Sequence, residues 1–555
     1  MTTFKQIAQV SLIAIVSATA AQAQDLLFLA EDVPAGLNYD GPAAAIPTSQ
    51  TGMVNVMEPL FDYATNPVNE TGLITPDFNT FEGRLVESWS FDEATLTWTL
   101  NLRQGVKGCD GATFNADDVL YTFARGKSVS GAAPIGWFLS NVGSIANFTA
   151  DVFGDESARP LGDEVTKIDE FTVAIRQSEP NALFLPVLTI FGLYMFDKEL
   201  MDANSTADDP WAHDYTNNVN VPSFGPYCVE SWTKDNEFIL SANEDYYRGA
   251  PAIKRVVMKK VPQSSNRLVI LRSGQAQLVQ ALTPREYDSL KGADGISVGG
   301  VLGNENLFVH MNFDVEPFDN PLIRKAVALS IPTQLIIDNA YFGEATAWKG
   351  HVPSSYPGYS ESATQYDYDP DGARALLAEA GFPGGDGLDA YAEAFQLTYV
   401  SEKETTLGPI VNAISTAMRE IGFPVTLNPI PQTQYGDRQL VKRDLPFAVN
   451  DQEKPIGVDA GYATQLFFVS PESGGLNNMV NYRNVILDEI WAKARVEPDN
   501  AKRDAMLVEI QDILMDDVVW APIVEYTSQW AYSDNLKGMQ WHPDNSIRFF
   551  DLSFE

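Results

Sequence analysis

Between Thr95 and Arg103, apolar and polar positions alternate: Leu96, Trp98, Leu100 and Leu102 interleave with Thr97, Thr99 and Asn101. A period of two places the first set on one face of a pleat and predicts a half-buried strand. Ser88-Trp89-Ser90-Phe91 precedes it across the acidic turn Asp92-Glu93-Ala94, so the two read as a hairpin. Phe171, Val173 and Ile175 alternate in a third strand. Elsewhere the period becomes helical and caps mark where each run starts. Asn115 caps a helix with Asp117 and Asp118 in its first turn and Val119, Leu120 and Phe123 on one face. Asn320-Pro321 opens a second, with Leu322, Ile323, Ala326, Val327 and Leu329 inward and Pro332 stopping it. Asp369-Pro370 opens a third, burying Ala373, Leu376, Leu377 and Ala380, with Gly381 ending it. A fourth runs from Asn500 to about Asp516, with Met506, Leu507, Ile510, Ile513 and Leu514 inward.

Strand and helix signals alternate irregularly, with no internal repeat and no low-complexity linker. This predicts an α/β chain of large, closely packed lobes, with the chain crossing between them more than once. Its 555 residues exceed what one core serves, so two or three lobes are expected. A hydrophobic share of 45% with 11% aromatics is that of a packed globular protein.

The N-terminus follows a different pattern. Lys5 precedes an apolar run from Ile7 to Ala18, which ends in Ala18-Thr19-Ala20-Ala21-Gln22-Ala23. That is the layout of a cleavable secretory signal, with Gln24 as the mature start. The run is too short to span a bilayer, and no later run approaches the ~20 apolar residues a spanning helix needs. No cysteine stands near the cleavage site, so the sequence offers no lipid anchor, and the mature protein is expected free in the periplasm. An oxidising compartment permits a disulfide between Cys109 and Cys228, the two cysteines of the chain; their wide separation neither requires nor forbids the contact.

A net charge of −37, spread along the chain, repels phosphate backbones and anionic lipid and so excludes nucleic-acid and membrane-surface roles. Catalytic and metal motifs fail one by one. The four histidines, His213, His310, His351 and His542, show no i, i+4 pairing and no H-E-x-x-H. No G-x-S-x-G elbow is present. Gly126-Lys127-Ser128 resembles the end of a phosphate loop, but Tyr121 stands where its first glycine belongs. Asp367-Tyr368-Asp369-Pro370-Asp371-Gly372 spells the opening of a calcium loop, yet its ninth and twelfth positions are Ala375 and Ala378. No metal and no cofactor are therefore expected. With 74 acidic residues, chance carboxylate pairs are inevitable, and none has a distinctive setting. A secreted hydrolase stays open as an alternative of another class, with nothing arguing for it.

A series of blocks carries a resemblance. Leu85-Val-Glu-Ser-Trp-Ser, Leu96 through Lys107, and Asp110-Gly-Ala-Thr-Phe-Asn-Ala-Asp-Asp-Val-Leu-Tyr-Thr-Phe123 come first. Gly225-Pro226-Tyr227, Ser231-Trp232, Asn243 through Pro251, Asn266-Arg-Leu and Leu271 through Leu278 follow. Then come Asn312, Pro317-Phe318-Asp319, Ile323 through Ala326, Tyr366 through Gly381, Tyr482-Arg-Asn-Val and the helix around Arg503. Collinear over nearly the whole chain, these resemble the extracellular solute-binding proteins of the peptide/nickel class (family 5) that serve ABC importers. The resemblance implies a periplasmic-binding-protein-like fold of two lobes joined by two crossover strands, with an extra subdomain in lobe I. It divides the chain into a signal peptide over 1–23, lobe I over 24–299, lobe II over 300–522 and a return to lobe I over 523–555. The crossovers are expected near Gly299–Asn304 and near Trp520–Glu525. It further implies a monomer that captures a small organic solute between closing lobes and hands it to membrane permease subunits.

The resemblance also points to a ligand segment. Peptide binders of this family use an aspartate in a D-x-x-D/E-P-like stretch to pair the peptide's α-ammonium. The corresponding stretch here runs from Asn450 to Tyr462; Asp459 matches the second acid, the place of the first falls near Pro455-Ile456, and Gln452 stands where a Trp is usual. Asp451 and Glu453 are substitutes for the missing acid, with Lys454 competing for their charge. Trp137, beside Phe138, is a candidate apolar wall of the cleft, and Arg443 a candidate carboxylate partner. A peptide or peptide-like compound heads the ligand classes, with opines, oligosaccharides and metal chelates as alternatives on the same scaffold.

Overall fold

The passage between the two large sheets of this protein is what places its cleft, so the sheets come first. The computed structural model describes residues 25–41, 44, 46–129, 135–148, 159–221, 223–362, 364–451 and 454–555. Among them, strands form a seven-stranded and a six-stranded sheet, a four-stranded sheet and two short pairs. The expected hairpin is there: Val86–Asp92 pairs antiparallel with Thr97–Leu102, which pairs in turn with Thr172–Arg176. With Val165–Asp169 this makes a separate four-stranded sheet, in the stretch where the resemblance places an extra subdomain.

In the seven-stranded sheet the order is Ile296–Val301, Ser528–Ser533, Leu278–Val279, Leu26–Ala30, Arg255–Lys260, Glu237–Ala242 and Tyr227–Thr233. The six-stranded sheet runs Ala345–Ala347, Trp520–Tyr526, Asn306–Met311, Phe447–Asn450, Gln396–Val400 and Thr426–Ile430. The chain thus passes from the first sheet to the second between Val301 and Asn306, and back at Thr527. The strand Trp520–Tyr526 stays in the six-stranded sheet throughout, since it pairs along its length with Asn306–Met311 and with Ala345–Ala347. The return passage therefore falls just after the expected stretch.

Sequence chemistry makes the first passage tight. A Cβ on Gly303 would stand 2.4 Å from the Trp541 ring, so the backbone lies against an indole that only glycine admits. Beside it, buried Asn304 donates through Nδ2 to the carbonyls of Pro455 (3.1 Å) and Pro543 (2.7 Å). One amide thereby fixes a loop of lobe II and the C-terminal segment at the crossing. Lobe II has its own core around Leu307, Val309, Phe318, Phe395, Ile414 and Phe447.

The four capped helices form at Ala116–Ser128, Pro321–Leu329, Pro370–Glu379 and Asn500–Asp517. Asn115 and Asp118 make a reciprocal capping box, and Asp369 accepts from the Gly372 N–H at 2.9 Å. The last helix is rotated from the expected face. Arg503 and Gln511 are buried with Leu507, Ile510 and Leu514, while Met506 and Ile513 are half-buried. Polar partners cause this: Arg503 pairs with Asp459, and Gln511 donates to the carbonyls of Gly358 and Leu507. Cys109 and Cys228 are bonded, with Cα atoms 5.6 Å apart, tying the extra subdomain's flank to the edge of the large sheet.

Candidate ligand-binding cleft

Where the two passages lie side by side, the lobes enclose a cavity of about 290 Å³. Lobe I supplies the loop from Gln280 to Pro284, Tyr287, and the return strand from Ser528 to Trp530. Lobe II supplies Tyr341, Glu344, Thr406, Leu407, Asp451, Lys454 and Tyr526, with Glu305 at the crossing itself. The volume is at the small end of ligand pockets, enough for a solute of dipeptide size.

Local chemistry sets each wall. Thr283 and Glu286 form a capping box that starts the short helix Pro284–Asp288, which fixes the preceding loop; within it Ala281 holds a left-handed backbone, φ 56°. Tyr287 donates to the Gln529 carbonyl at 2.8 Å, binding that loop to the return strand. Opposite, Tyr341 and Tyr526 stack at 5.0 Å and 22°. With Trp530, Leu282 and Leu407 these rings give the cavity an apolar lining. Among the described residues the Gln280 Oε1 is buried without a hydrogen-bond donor.

Charge is brought in as pairs. Asp451, at the end of Phe447–Asn450, takes two hydrogen bonds of 2.9 Å from the Lys403 ammonium. Lys454 pairs with Glu305, which also accepts from Tyr526 Oη at 2.9 Å and Asn545 Nδ2 at 2.7 Å. Glu344 reaches across to Lys291 of lobe I at 2.8 Å. Burial first, then the charges of Glu305 and Asp451, hold the hydroxyls of Tyr341 and Tyr526 well above the ordinary phenol value, so both stay donors at neutral pH. The site can therefore offer either sign of charge, phenolic donors and an aromatic wall. Among the described residues no cluster of three or more His, Cys, Asp or Glu could hold a metal ion.

The residues expected to bind ligand separate. Asp451 lines the cavity. Gln452 and Glu453 lie outside the described residues. Asp459 is placed elsewhere: its carboxylate is gripped by the buried Arg503 guanidinium (3.0 Å to Nη1) and caps a helix by accepting from Gly461 N–H at 2.6 Å. Its charge is thus already balanced by a buried guanidinium and its hydrogen bonds serve the fold. Arg443 is also away from the cavity; it donates to the Leu476 carbonyl at 2.8 Å, and burial, then Arg483, lower its guanidinium's pKa. Trp137 is not a cavity wall. It is buried, and its indole N–H donates to the Gly474 carbonyl at 3.0 Å, while Phe138 stacks on Tyr462. Lys454, expected to compete for Asp451, Glu453 or Asp459, pairs with Glu305 instead.

Sequence reasoning missed Lys403, Glu305, Gln280, Tyr341, Tyr526 and Trp530. Their one sequence signal is position: Glu305, Tyr526 and Trp530 flank the two expected crossovers.

Comparison with known proteins follows the same outline. The model of bacterial extracellular solute-binding proteins, family 5 Middle, matches residues 80–470. The dipeptide-binding protein of Escherichia coli K12 is 27% identical over 98% of this chain and 97% of its own length. Heme-binding protein A of Haemophilus influenzae is 24% identical, covering 85% of this chain and 84% of that protein. Among solved structures, the periplasmic binding protein DppA from Helicobacter pylori in complex with the peptide STSA superposes with TM-score 0.77, at 21% identity, over 96% of this chain and 98% of that one. The binding protein MoaA of A. tumefacien R10 in complex with mannopinic acid gives 0.76, at 21% identity, over 96% and 99%.

Proposed function

The chain belongs to the bacterial extracellular solute-binding proteins of family 5, and from that premise we propose that its solute is a small zwitterion, a short peptide or peptide-like compound. It is the substrate-binding component of an ABC importer, not an enzyme, and its partners are that solute and the importer's permease subunits. The Helicobacter pylori neighbour is a periplasmic binding protein by name; residues 1–23, read as a signal peptide, would send this chain to the same compartment as a monomer. Lobe I is taken as residues 24 to about 301 with the return from 528, and lobe II as the span between.

The observation that carries the ligand reading is the small cavity between the sheets, flanked by separate acid–lysine pairs and walled by aromatic rings. A solute with one charge of each sign can replace a partner in each pair without leaving a buried charge bare, which a neutral sugar cannot do. Its ammonium would displace Lys403 from Asp451; the Lys403 side chain, 35% exposed, can return to water. Gln280 Oε1 would accept a second hydrogen bond from the same end of the solute.

Calorimetry with free and N-acetylated dipeptides tests this. Acetylation and Asp451→Ala are each expected to weaken binding by at least ~2 kcal/mol, the lower range for breaking a desolvated charged pair. Tight binding that is indifferent to both would reject the zwitterion in favour of an opine or oligosaccharide held by hydroxyl contacts.

A further inference from the structure

Resting on the zwitterion reading and sharpening it, we infer that Lys454 is the residue that reads a carboxylate on the solute, with Glu305 holding it in place until the solute arrives. The two ion pairs at the cavity look alike but are not equivalent. Among the described residues, Asp451 receives hydrogen bonds from Lys403 alone, one to each oxygen. Glu305 receives three donors: Lys454 and Asn545 Nδ2 on Oε1, and Tyr526 Oη on Oε2. Removing Lys403 leaves both Asp451 oxygens without a donor, whereas removing Lys454 leaves both Glu305 oxygens occupied.

That asymmetry decides which cation can leave its acid without another cation taking its place. A buried acid that loses its only partner is strongly destabilised, while one still held by a phenol and an amide is not. Glu305 is 12% exposed, so this difference operates in a largely dry setting. Lys454 is also well aimed. Its successor Pro455 has its carbonyl fixed by Asn304 Nδ2 at 3.1 Å and by Tyr356 Oη, so the backbone is anchored while the long side chain can swing. Its ammonium has three donors, one of which Glu305 uses. Swinging from Glu305 to an incoming carboxylate therefore exchanges one charged partner for another. A purely structural lysine would differ in one respect: Glu305 would depend on it.

Thermal-shift and calorimetric measurements on the full chain, on Lys454→Met and on Lys403→Met separate these roles, with alanyl-alanine, alanyl-alanine amide and succinate as probes. Without a probe, Lys454→Met should melt within about 2 °C of the parent, and Lys403→Met clearly lower. With alanyl-alanine, amidating the probe or substituting Lys454 should each weaken binding at least about 30-fold, and the two together no further, since both remove the same contact. Undiminished binding by Lys454→Met, or an amide penalty that persists in it, would overturn the inference, as would a melting loss matching that of Lys403→Met. If alanyl-alanine fails to bind the parent, the peptide reading falls. Succinate then decides on Lys454: stabilisation lost in Lys454→Met upholds it, and no stabilisation of the parent overturns it.

Discussion

The ion pairs at the cavity and those inside the lobes use the same carboxylates but different cations. At the cavity the cations are Lys403, Lys454 and Lys291, with side chains 35%, 29% and 45% exposed. In the interior they are arginines: Arg125 on Asp40, Arg503 on Asp459 and Arg548 on Asp544, all nearly enclosed. Guanidinium forks bind a carboxylate through two parallel hydrogen bonds and also satisfy nearby carbonyls, as Arg125 does with Trp211. An ammonium is a compact, strongly hydrated charge on a flexible stem, which gives up one partner for another at small cost. The three arginine pairs belong to the frame, as does the enclosed Lys127–Glu164 pair, while the pairs at the cavity all use lysine, the cation that exchanges partners.

Asp459→Ala gives the largest expected effect on this contrast. It strands the buried Arg503 charge and should cost about 3–5 kcal/mol of stability in urea unfolding. Ligand affinity of the folded variant, measured by calorimetry, should be unchanged; a large loss of affinity without a loss of stability would move Asp459 from the frame to the site. Asp40→Ala should behave alike, because burial acts to raise the Asp40 carboxyl while Arg125 and His213 hold it well below its ordinary value.

Next in size is the pH profile, to which the buried histidines and carboxylates should contribute most. Burial lowers His310 and His351 to about 3, and burial then Arg548 lower His542 to about 4. Each lies below its unfolded value, so the unfolded chain binds more protons and stability is lost as pH falls from about 6.5. Burial raises Glu58 and Asp118 to about 7 and Asp197 to about 6. These do the opposite: their contribution is full below the unfolded carboxylate range and is lost as pH rises through 6 to 7. The two sets oppose each other between pH 5 and 7, so unfolding free energy there should vary by no more than ~2 kcal/mol. Below pH 4 the carboxylates have nothing further to gain, while the histidines still lose and Asp40 and Asp544 begin to lose, so stability should drop steeply. A steep slope across pH 5 to 7 would contradict the offset.

The smallest effect belongs to the Trp137–Gly474 contact. Trp137→Phe deletes the donor to Gly474 and should cost only about 1 kcal/mol. It should enlarge the unliganded radius of gyration by small-angle scattering and leave the ligand-saturated value unaltered. Equal radii in both states would show that this contact does not hold the lobes together.

Much of the frame was readable in the sequence because its signals are local. The Thr95–Arg103 alternation, the Asn115 and Asp369 caps and the apolar faces behind them each act within a few residues. The site is the reverse case. Lys403 and Asp451 are 48 positions apart, and Glu305 and Lys454 are 149 apart; they meet because Phe447–Asn450 lies between Gln396–Val400 and Asn306–Met311 in the six-stranded sheet. Asp451, which lines the cavity, falls inside the stretch that the resemblance locates. Asp459 was misjudged because nothing in that stretch reveals a guanidinium arriving from a helix 44 positions later. That same arginine turned the final helix off its expected face.

The position of Ser528–Ser533 in its sheet has a consequence for the order of events in time. That strand is wedged between Ile296–Val301 and Leu278–Val279. Any process that delivers the chain N-terminus first, whether synthesis or export, presents six strands of this sheet while the seventh is still missing. Until residue 533 emerges, Leu278–Val279 and Ile296–Val301 have no strand between them, and their unpaired backbone groups are open to any passing edge. The first lobe to begin is thus the last to be finished: its large sheet closes only when residues 528–533 have been delivered.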